Sequence, residues 1–359
     1  MYLREQTRKV LAGGLPIGGG SPVVIQSMTN TKTQDVAATV RQIRELEEAG
    51  CELVRVAIPN LEAAEAVREI KRQIRLPLVA DIHFDYRLAV TCIKNGVDKI
   101  RLNPGNIGGE DKVRTVVELA KEHRIPIRVG VNGGSLEKEL LKKYGTPCPK
   151  ALVESALGHV RLLQKFEFED IVVSLKTSSV KDTITAYRLF AEESDLPLHL
   201  GVTEAGSRFA GSIKSAVGIG SLLSQGIGDT LRVSLTGSPV QEIEVAKEIL
   251  KALELRDKGV EIISCPTCGR CQVQLEKIAE EITQKTSAFK KNITIAVMGC
   301  AVNGPGEARE ADIGVACGKE EGLLFIKGKI LRKVGEAEIV PALLQLMESY
   351  KEDEQNAGL

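Results

Sequence analysis

Cys265, Cys268 and Cys271, in the stretch SCPTCGRC, stand three residues apart. That spacing lets two thiolates of one turn grip a metal ion or two corners of a cluster. A CxxC pair with a distant cysteine suits zinc or an iron–sulfur centre. Cys300 and Cys317 follow in the same C-terminal stretch. A closed structural zinc site takes four Cys or His ligands, but the four histidines, His83, His123, His159 and His199, all lie far upstream. On spacing alone the fourth thiol could be Cys271 or Cys317.

A second reactive set is spread through the first 240 or so positions. Arg55, Arg101, Arg128, Lys176 and Arg232 each sit in a short β-branched run. Guanidinium forks and an ammonium suit phosphate oxygens. Burying them unpaired is costly, so carboxylates or a bound anion must compensate. Asp81, Glu204 and Asp229 are the internal candidates, and a polyanionic ligand is the favoured reading. His83 reads equally well as a hydrogen-bonded neighbour or a direct participant.

The elements that would position these groups recur in one pattern: a β-branched run, a polar break, then an amphipathic helical stretch. The runs are PVVIQSM from 22, ELVRVAI from 52, PLVADIH from 77, VDKIRLN from 97, PIRVGVN from 126, DIVVSLK from 170, PLHLGVT from 197 and TLRVSLT from 230. Between the first two, DVAATVRQIRELEEAG can start at an Asp35 cap, keep Val36, Val40, Ile43 and Leu46 on one face, and stop at Gly50. Eight such units predict a (β/α)8 TIM barrel, with a doubly wound open sheet as the alternative. Side chains alternate across a strand. Lys99, Arg101 and Asn103 therefore share one face, as do Arg128, Gly130 and Asn132; Ser174 and Lys176; Asp81 and His83; Arg232 and Ser234. This polar face should line the interior near the C-terminal strand ends, where such barrels carry their active sites. GGLPIGGG, ahead of the first run, reads as a hairpin turn closing the barrel floor. GVNGGSL and GSIKSAVGIGSLL follow strand ends and are weak candidates for offering amides to phosphate.

Past SPVQEIEVAKEILKALEL the character changes. RDKGVEIISCPTCGRC, NITIAVMGCAVNGPGE and ADIGVACG are strand-like runs ending in cysteine-bearing turns, followed by a charged tail. The boundaries read as 1–257 for the barrel and 258–359 for a smaller α/β domain. Lys and Arg number 48, as do Asp and Glu, so no global field favours nucleic acid or membrane. With 3% aromatics and no Trp, a base-stacking surface is also disfavoured. The start, MYLREQTRKV, lacks an apolar run, which predicts a cytoplasmic protein whose clustered thiols serve metal or redox chemistry. Cys51 and Cys92, set among apolar helix residues, read as core hydrophobes. A Schiff-base lyase using Lys176 and a phosphate-sensing barrel with a zinc knob are the rival readings.

Longer stretches carry a resemblance. QSMTNT, VADIHFDYRLA, KIRLNPGNIG, IRVGVNGGSL, GVTEAG, GIGDTLRVSLT, CPTCGR and MGCAVNGPGEA occur in order. In these the chain resembles the 4-hydroxy-3-methylbut-2-en-1-yl diphosphate synthase family, in its compact bacterial two-domain form. The resemblance implies a [4Fe–4S] cluster on Cys265, Cys268, Cys300 and Glu307, the carboxylate being the more exchangeable ligand. Cys271 is not one of the family's ligand positions. It also implies a cyclic diphosphate substrate held by Arg55, Arg101, Arg128 and Lys176, with Asp81, His83, Asn103, Asn132, Arg232 and Ser234 nearby. Glu204 would act as acid or orienting carboxylate, and ferredoxin or flavodoxin as electron donor.

Geometry adds a partner. The last barrel helix returns the chain to the N-terminal face, while the arginines face the opposite end. A linker from Arg256 to Val260 reaches at most about 17 Å, against roughly 25 Å for the helix. A head-to-tail homodimer is therefore predicted, the cluster domain of one subunit capping the other's barrel.

Overall fold

The computed structural model describes residues 4–257, 259–286, 289, 291–300 and 310–350. It divides into two compact units, Met1–Arg256 and Asp257–Leu359.

In the first unit a hairpin of β1 (Val10–Ala12) and β2 (Leu15–Ile17) precedes eight parallel strands. These are β3 (Val24–Met28), β4 (Leu53–Ala57), β5 (Leu78–Asp81), β6 (Lys99–Leu102), β7 (Ile127–Asn132), β8 (Ile171–Lys176), β9 (His199–Leu200) and β10 (Thr230–Leu231). They pair in the order β8-β7-β6-β5-β4-β3-β10-β9, and a parallel bridge between Val173 and Leu198 closes the ring. The fold is a (β/α)8 barrel. β9 and β10 are shorter than their sequence runs: their ladder pairs only Thr230 with His199 and Leu231 with Leu200.

Around the strands lie α1 (Val36–Ala49), α2 (Leu61–Gln73), α3 (Tyr86–Lys94), α4 (Glu110–His123), α5 (Lys138–Tyr144), α6 (Pro149–Gln164), α7 (Val180–Glu193), α8 (Arg208–Leu223) and α9 (Pro239–Ala252). α5 is an extra helix in the β7–α6 connection. α1 behaves as its sequence dictates: Asp35 accepts from Ala38 N at 3.0 Å, and Gly50 ends the helix at φ 97°. Val40, Ile43 and Leu46 are fully buried, in one core with Cys51 and Cys92 and the outward residues of the strands. A smaller core, of Val24, Leu53, Val79 and Val172 against Val10, Ala12 and Ile17, plugs the barrel floor with the hairpin. At the foot, Arg256 Nη2 donates to Val23 O at 2.9 Å and to the Glu52 carboxylate at 2.6 Å, fixing where the chain leaves the barrel.

The second unit is a five-stranded sheet in the order β11 (Val260–Ser264), β12 (Ile293–Met298), β13 (Ile313–Gly318), β14 (Glu321–Ile326), β15 (Lys329–Gly335). The first three are parallel; β14 and β15 add antiparallel. Helices α10 (Leu275–Thr286) and α11 (Ile339–Ser349) cover one face. Among the described residues no helix is long and apolar enough to cross a membrane.

Candidate active site

Above the apolar floor the barrel interior turns polar. Lys99, Arg101, Asn103, Arg128, Ser174, Lys176 and Asp81 are all buried, as the strand alternation requires. Arg101 Nη1 donates to Asp81 Oδ1 at 3.2 Å, and its Nη2 to Gly130 O at 3.0 Å. His83 Nε2 lies 3.2 Å from Asp81 Oδ2 at the rim. Arg128 Nη1 donates to Ser174 Oγ at 2.9 Å, while its Nε and Nη2 have no partner among the described residues. Arg55 Nε points to Met28 Sδ at 3.0 Å.

Two glycines make room for these cations. A Cβ on Gly130 would meet Arg101 Nε at 2.5 Å, and one on Gly201 would meet Lys176 Nζ at 2.6 Å. The glycines of β7 and of the segment after β9 are thus where neighbouring side chains cross the interior.

Charge is only partly balanced. Burial pulls Arg55 down to about 10, with Asp81 opposing and Arg232 and Arg101 adding to the shift. Lys176 lies well below its usual value through burial and the four arginines around it. Asp81, despite a burial effect in the other direction, is held far below the ordinary carboxylate range by Arg55, His83 and Arg101. Arg232 has a partner the sequence reading did not name. Its Nε and Nη2 each reach Glu242 of α9 at 3.2 Å, and Glu242 also accepts from Ser27 Oγ at 3.2 Å and Leu235 N at 3.1 Å. The cations therefore outnumber the carboxylates, a field suited to a polyanion.

Other candidates fall elsewhere. Asp229, taken as a possible counter-charge, instead accepts from Leu198 N at 2.8 Å and Thr7 Oγ1 at 2.9 Å beside the floor, and burial raises it to about 6. Glu204 is exposed at φ 54° and does not pair with the arginines. It lines a mouth cavity of about 550 Å³ with Asn132, Gly133, Gly134 and Thr177. GSIKSAVGIGSLL forms α8 rather than an amide loop: a Cβ on Gly218 would lie 2.8 Å from Val202 Cγ2, so that glycine serves packing. Asn103 is buried with Oδ1 unpartnered among the described residues, and Ser234 is half-buried after β10.

In the second unit β11 and β12 run in parallel register, Ser264 beside Val297. Cys265 thus follows one strand end and Cys300 the next. Gly299 N donates to Cys265 Sγ at 3.2 Å, joining the two ends. Cys268 is exposed, and hydrogen bonds from Arg270 lower its thiol. Cys271 Sγ donates to Val273 O at 3.3 Å, and Cys317 is buried in the sheet, pushed up to about 12 by desolvation. Among the described residues no three such side chains converge tightly enough to hold a metal ion. Glu307 lies outside the described residues.

A family model described as the GcpE TIM-barrel domain matches residues 7–247, and one described as the GcpE protein C-terminal domain matches residues 261–349. The chain belongs to the GcpE family. Its similarity to named members is high throughout. It is 58% identical to the 4-hydroxy-3-methylbut-2-en-1-yl diphosphate synthase (flavodoxin) of Fusobacterium nucleatum, over 99% of this chain and 100% of that one. It is 60% identical to the protein of the same name from Ruminiclostridium cellulolyticum, over 95% and 97%. The GcpE barrel also resembles dihydropteroate synthase from Stenotrophomonas maltophilia, with a TM-score of 0.50 at 12% identity over 69% of this chain and 98% of that one. At that identity the likeness speaks for the fold alone.

Proposed function

We propose that the chain catalyses reductive ring opening and dehydroxylation of 2-C-methyl-D-erythritol 2,4-cyclodiphosphate to 4-hydroxy-3-methylbut-2-en-1-yl diphosphate, a step of the methylerythritol phosphate route to isoprenoids. The observation that carries this is the under-neutralised cationic interior in a chain whose near full-length relatives bear that synthase's name. The rival Schiff-base reading explains Lys176 but leaves the arginines without a ligand. Two electrons and one proton enter, one water leaves, and the product carries one more negative charge than the substrate.

In this reading Arg55, Arg101, Arg128 and Lys176 bind the diphosphate, while Asn103, Asn132, Ser234, Arg232, His83 and Asp81 orient it or hold the cations. Asp81 and Glu242 fix Arg101 and Arg232, so little reorganisation accompanies binding. Glu204, at the mouth, would hold or deliver a proton at the reacting carbons. Residues 1–257 form the substrate domain and 258–359 the cluster domain.

A [4Fe–4S] cluster fits the thiol set, since Cys265 and Cys300 end adjacent parallel strands and the Gly299 N–H already donates to a sulfur. Cys265, Cys268 and Cys300 would hold it, with Glu307 as the exchangeable fourth ligand. When bound, it supplies single electrons and a Lewis-acidic iron. Thiolate ligands need a reducing, cytoplasmic setting, and the relatives' names support flavodoxin as electron donor rather than ferredoxin.

A homodimer completes the site by placing one subunit's cluster domain over its partner's barrel mouth. Two features support it. Arg256 anchors the departing chain at the barrel foot, away from the arginines. Phe209, Ile213 and Val217, four residues apart on α8, leave an exposed apolar stripe. Anaerobic purification, with visible absorption and iron and sulfide analysis, tests the reading. A brown protein with about four of each per chain, active with dithionite on the cyclic diphosphate, is expected; a colourless zinc protein would overturn it.

A further inference from the structure

Beneath the arginine layer lies a tier of polar side chains to which the reading above gives no role. Gln26 on β3, Lys99 on β6 and His199 on β9 point inward, 0–1% exposed, below Arg128 on β7. Gln26 Oε1 and Nε2, Lys99 Nζ and His199 Nε2 have no hydrogen-bond partner among the described residues. His199 Nδ1 is held by Thr230 Oγ1 at 2.5 Å, which aims the other nitrogen at this space. Enclosed polar atoms of this kind are satisfied by ordered water, which is also how a proton reaches them.

Lys99 is the telling member. Buried cations are normally paired or neutral. The charged groups acting on Lys99 are Arg128 of β7 and Arg55 of β4, both cationic. Lys176 of β8 is shifted down by burial and the arginines just as Lys99 is, and His199 is kept neutral by burial. Asp81 of β5 is taken up by Arg101 and His83, and Glu242 of α9 by Arg232. Tyr187 of α7 donates its hydroxyl to His199 O at 2.5 Å. Among the described residues, then, no carboxylate is paired with the ammonium.

We propose that Lys99 is a positioning residue that adjusts the barrel's charge, neutral while the mouth is empty and protonated once a polyanion is held above it. Polyanion binding then takes up one proton, which passes from solvent through the enclosed waters to Nζ. The inference rests on the proposed seating of the cyclic diphosphate in this barrel. That ligand is well chosen for a test, because each phosphorus keeps only one strongly acidic hydroxyl and the ligand itself does not titrate near neutrality.

The experiment is isothermal titration calorimetry of the holoenzyme with the cyclic diphosphate, without reductant, in buffers of differing ionisation enthalpy and across pH 6.5 to 9. About one proton should enter per ligand bound, and affinity should fall by about tenfold per pH unit where uptake is complete. Lys99→Met should bind more weakly with no uptake, and Lys99→Arg should bind without the pH slope. Tight wild-type binding with no uptake overturns the proposal while sparing the site. Uptake that persists in both Lys99 variants, or is lost only in Lys176→Met or His199→Gln, also overturns it. Failure of the wild type to bind removes the site reading and this inference together.

Discussion

Arg128 is 1% exposed, and its Nε and Nη2 lack partners among the described residues. A buried cation without a counter-charge is a stability defect that a bound anion repairs, so Arg128→Met should shift activity and stability in opposite directions. Turnover efficiency should fall by about 100-fold or more, roughly 3 kcal/mol of lost charged contact, while the melting temperature stays level or rises. Steady-state kinetics beside thermal denaturation reads both. Glu242→Gln should do the reverse to the frame, leaving Arg232 half-paired in a mostly buried setting at a cost of about 3 kcal/mol in chemical denaturation. Thiols separate by exposure. In cluster-free protein, iodoacetamide should label Cys268 first and leave Cys51 and Cys92 unmodified, because burial pushes them up to about 11 and 12; peptide mass mapping ranks them. At this scale the cations were legible because period-two alternation carries all of them to one face. Glu242 was not, because it reaches in from a helix. Its signal was a charge next to the apolar series Ile243, Ala246 and Leu250 of α9.

The strands position the site through what they omit as well as what they present. Gly201→Ala would press its methyl on Lys176 Nζ at 2.6 Å and on Arg232 O at 2.8 Å, the second a backbone atom that cannot swing aside. Substrate affinity should drop at least tenfold, at about 1.4 kcal/mol per decade, and equilibrium binding measures it. The barrel's eight runs and the floor hairpin could be read from the chain because each run alternates and glycines stand at the hairpin's turn and after its second strand. The second unit was less legible. β14 and β15 meet at Lys327 and Gly328, with φ 45° and 73°, and a Lys-Gly pair lacks the Asn or Asp that marks such a turn. α11 escaped because a charged tail follows it directly, although Ile339, Leu343 and Met347 are fully buried at helical spacing.

At the scale of the molecule, a site shared between protomers makes a quantitative claim. Arg128→Ala and Cys265→Ser chains should each be inactive alone. After mixing and subunit exchange they should recover up to about a quarter of wild-type activity, since half the dimers are mixed and each has one intact composite site. No recovery, despite exchange shown by tagged subunits, would place the whole reaction within one chain. The topology of the barrel was the easiest large feature to infer, as eight repeats leave few alternatives; the head-to-tail pairing proposed for two copies rests on chain length and helix direction.

The plugged floor has its own consequence for traffic. With Val10, Ala12 and Ile17 sealing one end, the barrel is a blind well, and arrivals and departures share a single opening. A spent molecule, more anionic than the one it replaces, must be expelled before another can descend. It should therefore act as a strictly competitive inhibitor, with its exit pacing the cycle when reductant is plentiful.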